Sequence, residues 1–435
     1  MKQLLHEYTA VLAVRRARLV LGATVLSMVG DVMAMVALML QLHDSGHGPC
    51  AVMALLICFA LPIVVTMGLA GSVADQHDPR RVLTLSLTVQ ALGAVGLVLA
   101  PDLAWTCVAV VVMQTGFAFA NPVWSVVMPL VVGESLSGTF VSLAHGLRSV
   151  ASPVGAATAG ILVQHWGTQL VLGINAASFV GLVGAALALR VTRPAAPRAR
   201  TSLLPREGYV TLRRDPVLAA LVLGVVPIIL TVEAVNAVEV FLVRDELGAT
   251  PSGYGLAEAV SGVGLVLGSF AAGAVRSRGG RIRGLLLGIA VVPLLQIGQG
   301  LAPTLALYAV CALAIGLALG VVNALVFALL LREVVEHDRG KVLALVSGLS
   351  RTATIGALAI GGVLGTQVGA RTAYVVCGVV GLLIAATAAL RVRASGRSPH
   401  ASGAQTDSQV ATTSRPASVP GRTTQPPKAR TTRAA

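Results

Sequence analysis

Gly96-Leu97-Val98-Leu99-Ala100-Pro101-Asp102-Leu103-Ala104 is repeated 202 residues later as Gly298-Gln299-Gly300-Leu301-Ala302-Pro303-Thr304-Leu305-Ala306, with six of the nine positions identical. At the same offset and without a gap, residues 146–167 lie over residues 348–369 with seven identities in twenty-two. The offset also pairs Pro49 with Pro251, Gly71 with Gly273, Asn121 with Asn323, and Asp31 with Glu233. An internal repeat of this length fixes the architecture as two copies of one large unit.

The surrounding composition says where those copies live. The 435 residues are 55% hydrophobic and 11% charged, with a mean hydropathy of +0.84, far more apolar than a soluble core of this length needs. Apolar runs of about 20 residues recur, each long enough to cross roughly 30 Å of hydrocarbon as a helix. The alternation of a membrane barrel is missing, and backbone satisfaction in lipid makes the runs helices. The net charge of +14 does not indicate nucleic acid, because the arginines sit in loops and tails, where the orientation bias of membrane helices places them. The five cysteines are scattered, mostly inside apolar runs, with neither metal spacing nor a disulfide framework. No metal or cofactor is expected. Lys2 to Arg18 is too polar for the core of a cleavable signal, so the first span is expected to remain as an anchor.

Twelve spans follow, at 18–42, 48–71, 81–100, 104–130, 140–165, 168–190, 217–242, 252–275, 284–302, 304–331, 342–367 and 371–392, the first six mapping onto the last six. The expected fold is all-α and polytopic, with twelve transmembrane helices in two parallel six-helix repeats, 18–190 and 217–393. They are preceded by a short segment 1–17, joined by a basic linker 191–216, and followed by a disordered tail 394–435 rich in Ser, Thr, Pro, Ala and Arg. Alternate loops and the two ends of the chain carry 28 Lys and Arg, whereas the opposite loops carry only Arg244 and Arg371. Both termini are therefore expected in the cytoplasm. An even number of spans per copy relates the copies by an axis along the membrane normal.

Within the spans, charges are few. Asp31 falls near the middle of span 1, where a buried carboxylate costs several kcal/mol unless it faces a cavity, finds a partner or takes a proton. Glu233 stands at the matching depth in span 7. These two are the proton-coupling candidates, against the alternative of structural hydrogen bonds between helices. Asn236, three residues after Glu233, shares its helical face. Glu258 in span 8 has no counterpart, since Leu56 holds the matching position; it is a candidate for a cationic substrate or a carboxylate reaching toward outer water. Glu239 lies nearer the outer end of span 7 and is expected at the interface. Asn121 and Asn323, in equivalent places of spans 4 and 10, either join helices or line a cavity. Arg148 and Arg351, about two turns into spans 5 and 11, either snorkel to the inner surface or enter the cavity and meet an acid. Spans 3, 6, 9 and 12 carry no interior charge, as lipid-facing helices should.

The loop after span 2 reads Gly68-Leu-Ala-Gly71-Ser-Val-Ala-Asp75-Gln-His-Asp78-Pro-Arg80-Arg81. It resembles the signature of the major facilitator superfamily between helices 2 and 3: a glycine, an aspartate four residues on, then a basic pair. The resemblance implies the major facilitator fold. It also implies a cytoplasmic gate in which Gly71 lets helices 2 and 11 approach and Asp75 makes a charge relay with Arg81 and Arg80. Asp78-Pro79 stands where the family carries a glycine, and in the second copy Ser277 replaces the acid. Gly30-Asp31, Leu61-Pro62, Asn121-Pro122 with Pro129, and Pro153 resemble the macrolide-efflux and siderophore-exporter branch of the drug:proton antiporters. Two departures stand out. The helix 5 motif reads Ser152-Pro153-Val154-Gly155, and Val111 occupies the place of an antiporter arginine, which leaves Asp31 as the coupling group.

The expected function is secondary active transport, as proton-coupled efflux of a small amphipathic compound by alternating access. The chain would work as a monomer in the inner membrane, with protons, substrate and the lipid bilayer as its partners. Alternatives from the same residues are a proton-coupled importer and a nontransporting anchor acting through its tail. An enzyme is not expected, because no Ser-His-Asp grouping, phosphate loop or metal cluster shares one accessible face.

Overall fold

The echoed turn has the same construction in both copies. In the computed structural model, Asp102 Oδ1 accepts the Trp105 amide at 2.7 Å, and Thr304 Oγ1 accepts the Leu307 amide at 3.3 Å; each caps the helix that follows. Gly46 and Gly248 hold positive φ of 75° and 63°, and Gly167 and Gly369 hold 80° and 79°, so two further turns repeat at the same offset. Pro49 and Pro251 each open a helix at its first positions, where a missing amide hydrogen costs nothing.

The structure describes residues 2–188, 229–333 and 336–395. The linker 191–216 and all but the first two residues of the expected tail lie outside that description. Every described element is a helix or turn. The first half comprises α1 (Lys2–Ala13), α2 (Arg15–Asp44), α3 (Pro49–Gln76), α4 (Pro79–Val98), α5 (Leu103–Val132), α6 (Glu134–Trp166) and α7 (Thr168–Ala188). The second half, from the point where its description begins, comprises α8 (229–236), α9 (Glu239–Phe241), a π turn (Leu242–Glu246), α10 (Pro251–Ala272), α11 (Arg278–Gly300), α12 (Leu305–Glu333), α13 (Glu336–Val368) and α14 (Ala370–Ser395). Ten of these helices are long and apolar enough to cross a membrane. The expected seventh span begins outside the described residues and is not continuous within them: its helix stops at Asn236, turns at Ala237–Val238, and resumes as α9 and the π turn.

Within the first half α2 packs on α6 and α7, and α4 on α5 and α7; within the second, α12 packs on α10 and α11. Among the described residues the halves meet chiefly through two contacts, α6 with α10 and α3 with α13, with a smaller one between α2 and α9. The 202-residue offset converts α6 into α13 and α3 into α10, so one contact is the symmetry mate of the other. Both contacts are tight toward one end of the bundle. A Cβ on Gly160 would stand 2.6 Å from the Pro251 carbonyl oxygen, one on Gly255 2.5 Å from that of Ala156, and one on Gly362 2.5 Å from Met53 Cβ. Toward the other end, Gly71 and Gly146 have nothing within 4 Å, and a Cβ on Gly348 would reach only the tip of Met67, at 3.6 Å. The halves are therefore zipped at the end where α2 finishes, and they part toward the end where α2 begins.

Candidate functional site

Mostly apolar cavities with a few charged and amide groups lie within and between the two halves. One, of about 450 Å³, is lined by Met28, Asp31 and Met35 of α2, Phe59 of α3, Gln90 of α4, Met113, Gln114 and Phe117 of α5, and Arg148 and Ser152 of α6, with Arg351 reaching it from α13. A neighbouring cavity of about 500 Å³ shares Met28, Asp31, Gln90, Phe117 and Arg148 and adds Asn121, Trp124 and His145. In the second half a cavity of about 250 Å³ is lined by Glu233, Asn323, Ser350, Arg351 and Thr354. A smaller one, of about 170 Å³, joins Gly71 and Asn121 to Arg351. Arg351 thus faces three of these four spaces, because it projects from α13 where the halves diverge.

Six of the sequence candidates meet here: Asp31, Arg148, Asn121, Arg351, Glu233 and Asn323. The arginines enter the cavities rather than snorkelling. Arg148 lies within Coulombic reach of Asp31 and of Arg351, and among the described residues neither guanidinium donates a hydrogen bond. Asp31 Oδ1 is sealed from solvent and has no hydrogen-bond partner. Glu233 differs: Asn236 Nδ2 donates to its Oε2 at 3.1 Å, across the i, i+3 spacing expected. Methionine and phenylalanine around the acid give an apolar wall that adapts to shape, while the glutamines, asparagine and arginines supply orienting groups. Such a lining suits an amphipathic molecule.

Glu258 does not join this site, and Glu239 is not interfacial. Both stand together, half-buried, in the second half. Tyr308 donates to Glu239 Oε1 at 2.6 Å and lies 3.3 Å from the Tyr374 hydroxyl, while Tyr254 donates to Glu258 Oε1 at 3.3 Å. The three tyrosines are fully buried. Beyond the break in the seventh span, Glu239 meets the Tyr308 phenol instead of an open surface. Tyrosine spacing is silent about such a cluster, which only tertiary packing assembles.

The gate motif stands open. Asp78 accepts the Arg80 amide at 2.9 Å and Arg80 Nη2 donates to the Leu187 carbonyl at 2.8 Å. Among the described residues, no ion pair joins Asp75 to Arg80 or Arg81. The implied charge relay is absent from this conformation, in which the end carrying the motif is parted.

The zipped end carries a polar lock that sequence reading missed. His43 Nε2 lies 2.7 Å from Asp245 Oδ1 and Nδ1 2.9 Å from Asp44 Oδ1; Arg244 Nη2 donates to that same Asp44 oxygen at 3.0 Å. Arg371 Nε donates to Glu246 Oε2 at 3.0 Å. His43 and Asp245 are separated by 202 residues, as are Asp44 and Glu246, so the lock sits where the two copies face each other across their axis. The available signal was that Arg244 and Arg371, the only basic residues in this set of loops, each find an acid.

Two repeated helical copies, zipped at one end and parted at the other around cavities that hold Asp31, Arg148 and Arg351, define a secondary transporter. The family model of the Major Facilitator Superfamily matches residues 20–243 and again residues 221–421, one match for each copy, and the chain belongs to that superfamily. An uncharacterized MFS-type transporter, YfiS of Bacillus subtilis (strain 168), is 27% identical over 386 residues, covering 84% of this chain and 90% of its own. Macrolide efflux protein A of Streptococcus pyogenes is 22% identical over 378 residues, covering 84% of this chain and 92% of its own. Among solved structures, the nucleoside transporter NupG aligns with a TM-score of 0.70 at 14% identity, covering 87% of this chain and 99% of that one.

Proposed function

We propose that the protein is a proton-coupled exporter of a small amphipathic compound, of the macrolide-like or siderophore-like kind, acting as a monomer in the bacterial cell membrane with both termini in the cytoplasm. The orientation follows from the basic loops, which lie at the parted end. The conformation described is then inward-facing: the cavities open toward the cytoplasm and the zipped end faces out. Rocking of the two halves would exchange these states around the central cavity.

The observation that carries the coupling is Asp31, whose Oδ1 is buried without a hydrogen bond beside a cationic Arg148, on the wall shared by the two larger cavities. An acid in that position has two stable arrangements, neutral with a proton or ionised toward Arg148. A substrate that competes with the proton shifts the balance of facing states through its different affinity for them. Similarity to macrolide efflux protein A supports the export reading and the substrate class. In proteoliposomes, wild-type protein should move a radiolabelled macrolide against its gradient when a pH gradient is applied. Asp31→Asn should abolish that movement while the protein remains in the membrane. Undiminished transport by the variant would remove Asp31 from the coupling step, and macrolide movement in the opposite direction would replace the exporter by an importer.

A further inference from the structure

The lock at the zipped end contains a proton site of its own. His43 places both ring nitrogens against carboxylate oxygens, Nε2 on Asp245 at 2.7 Å and Nδ1 on Asp44 at 2.9 Å. A carboxylate offers no hydrogen. A neutral imidazole carries one N–H, so it satisfies one of these contacts and turns a lone pair on the other; only the imidazolium donates to both. Around the ring, α2 supplies Asp44 and the π turn supplies Asp245, with Arg244 bound to the same Asp44 oxygen and His47 on the loop that follows α2. Glu246 is already held by Arg371 of α14, and the Phe241 ring packs at 5.6 Å. Counting His43 as a cation, the group of His43, Asp44, Arg244 and Asp245 is neutral. Counting it as uncharged, the group is one negative charge in excess, with a carboxylate facing a lone pair.

The lock also bridges the halves where they must separate. Asp44 and His43 belong to the first copy and Arg244 and Asp245 to the second, so opening this end parts both bonds at once. The second-copy members lie just beyond the discontinuity at Ala237–Val238, on a short segment outside the continuous part of α8.

We propose that His43 is a proton-operated latch: a proton taken from the medium at the zipped end holds this door shut, and its loss lets the door open. The site is separate from Asp31. Its proton enters and leaves on the same side, so it regulates access without being carried across, and the proposal stands whichever direction substrate moves. Histidine is the side chain suited to that role, since its charge changes between about pH 5 and 8.

The test reads conformation and needs no substrate. Spin labels on Leu99→Cys and Leu301→Cys, exposed and equivalent by the 202-residue offset, report the separation of the halves at the locked end. The five native cysteines are replaced, and Asp31→Asn is present so that the central acid adds no pH dependence of its own. In lipid nanodiscs, the long-distance population should grow about fivefold between pH 5 and pH 8, the scale set by one half-exposed ion pair. His43→Gln keeps a hydrogen bond without the charge and should flatten the response. Asp245→Asn, which still accepts from a neutral ring, should flatten it independently. A pH response that survives in both variants, or none in the parent, would overturn the latch. Failure of the exporter reading would leave these distances unchanged.

Discussion

Asp31 and Glu233 occupy the same position of the two copies, yet their surroundings differ. Asp31 stands on the unbroken helix α2, lines the two larger cavities, and has an oxygen without a partner. Glu233 lines a cavity of about 250 Å³, is held by Asn236 on its own helix, and precedes by only a few residues the point where that helix breaks. An acid with an unfilled hydrogen-bond site can exchange a proton for a substrate contact. An acid already bonded beside a break is suited to shaping the bend. Duplication thus supplied two acids at one depth, and packing gave them different surroundings.

The comparison breaks most visibly if the two acids are neutralised in turn. Asp31→Asn should lower gradient-driven transport by at least about a hundredfold, because a general proton exchange is removed rather than weakened. Glu233→Gln preserves the Asn236 hydrogen bond in kind and should reduce the same initial rate by about fivefold or less, the scale of one modest hydrogen bond. Equal losses would erase the division of labour. Second in size to the loss at Asp31 is the effect expected at the zipped contact between the copies. Gly255→Val places a side chain against the Ala156 carbonyl oxygen, and overpacking of this kind costs about 1–3 kcal/mol. Alkylation of a cysteine introduced at Met39 should then accelerate by about tenfold, since about 1.4 kcal/mol is a factor of ten in population. Unchanged labelling would show that this contact does not set the closed state. The smallest effect is expected at Arg351, which shares the cavity of about 450 Å³ with Arg148. Arg351→Gln should raise the KM for a macrolide by about threefold with little change in kcat, the pattern of a group that binds ground and transition states alike.

Much of this fold was legible in the sequence because lipid imposes simple rules. Helices must be long and apolar, and duplication leaves proline and glycine at turns whose backbone demands them, as at Pro49 and Pro251 or Gly167 and Gly369. The cavity acids and arginines were legible for the same reason, since a charge in hydrocarbon needs a cause. The break in the seventh span was not. Residues 229–246 contain no internal proline or glycine, so no local signal marks the turn at Ala237–Val238. That turn moved Glu239 from an expected interface into a cluster of buried tyrosines and drew Glu258 after it. The lock around His43 was hidden for a different reason. Its members are ordinary loop charges until the repeat offset is used as a contact rule, which requires knowing that this end of the molecule is shut.

Proton release on substrate binding tests the contrast between the two acids most directly. With purified protein in weakly buffered detergent and a pH-indicating dye, saturating macrolide should release about one proton per transporter from wild type and from Glu233→Gln, and none from Asp31→Asn. Release that persists in Asp31→Asn but disappears in Glu233→Gln would contradict the account and move the coupling to the second copy.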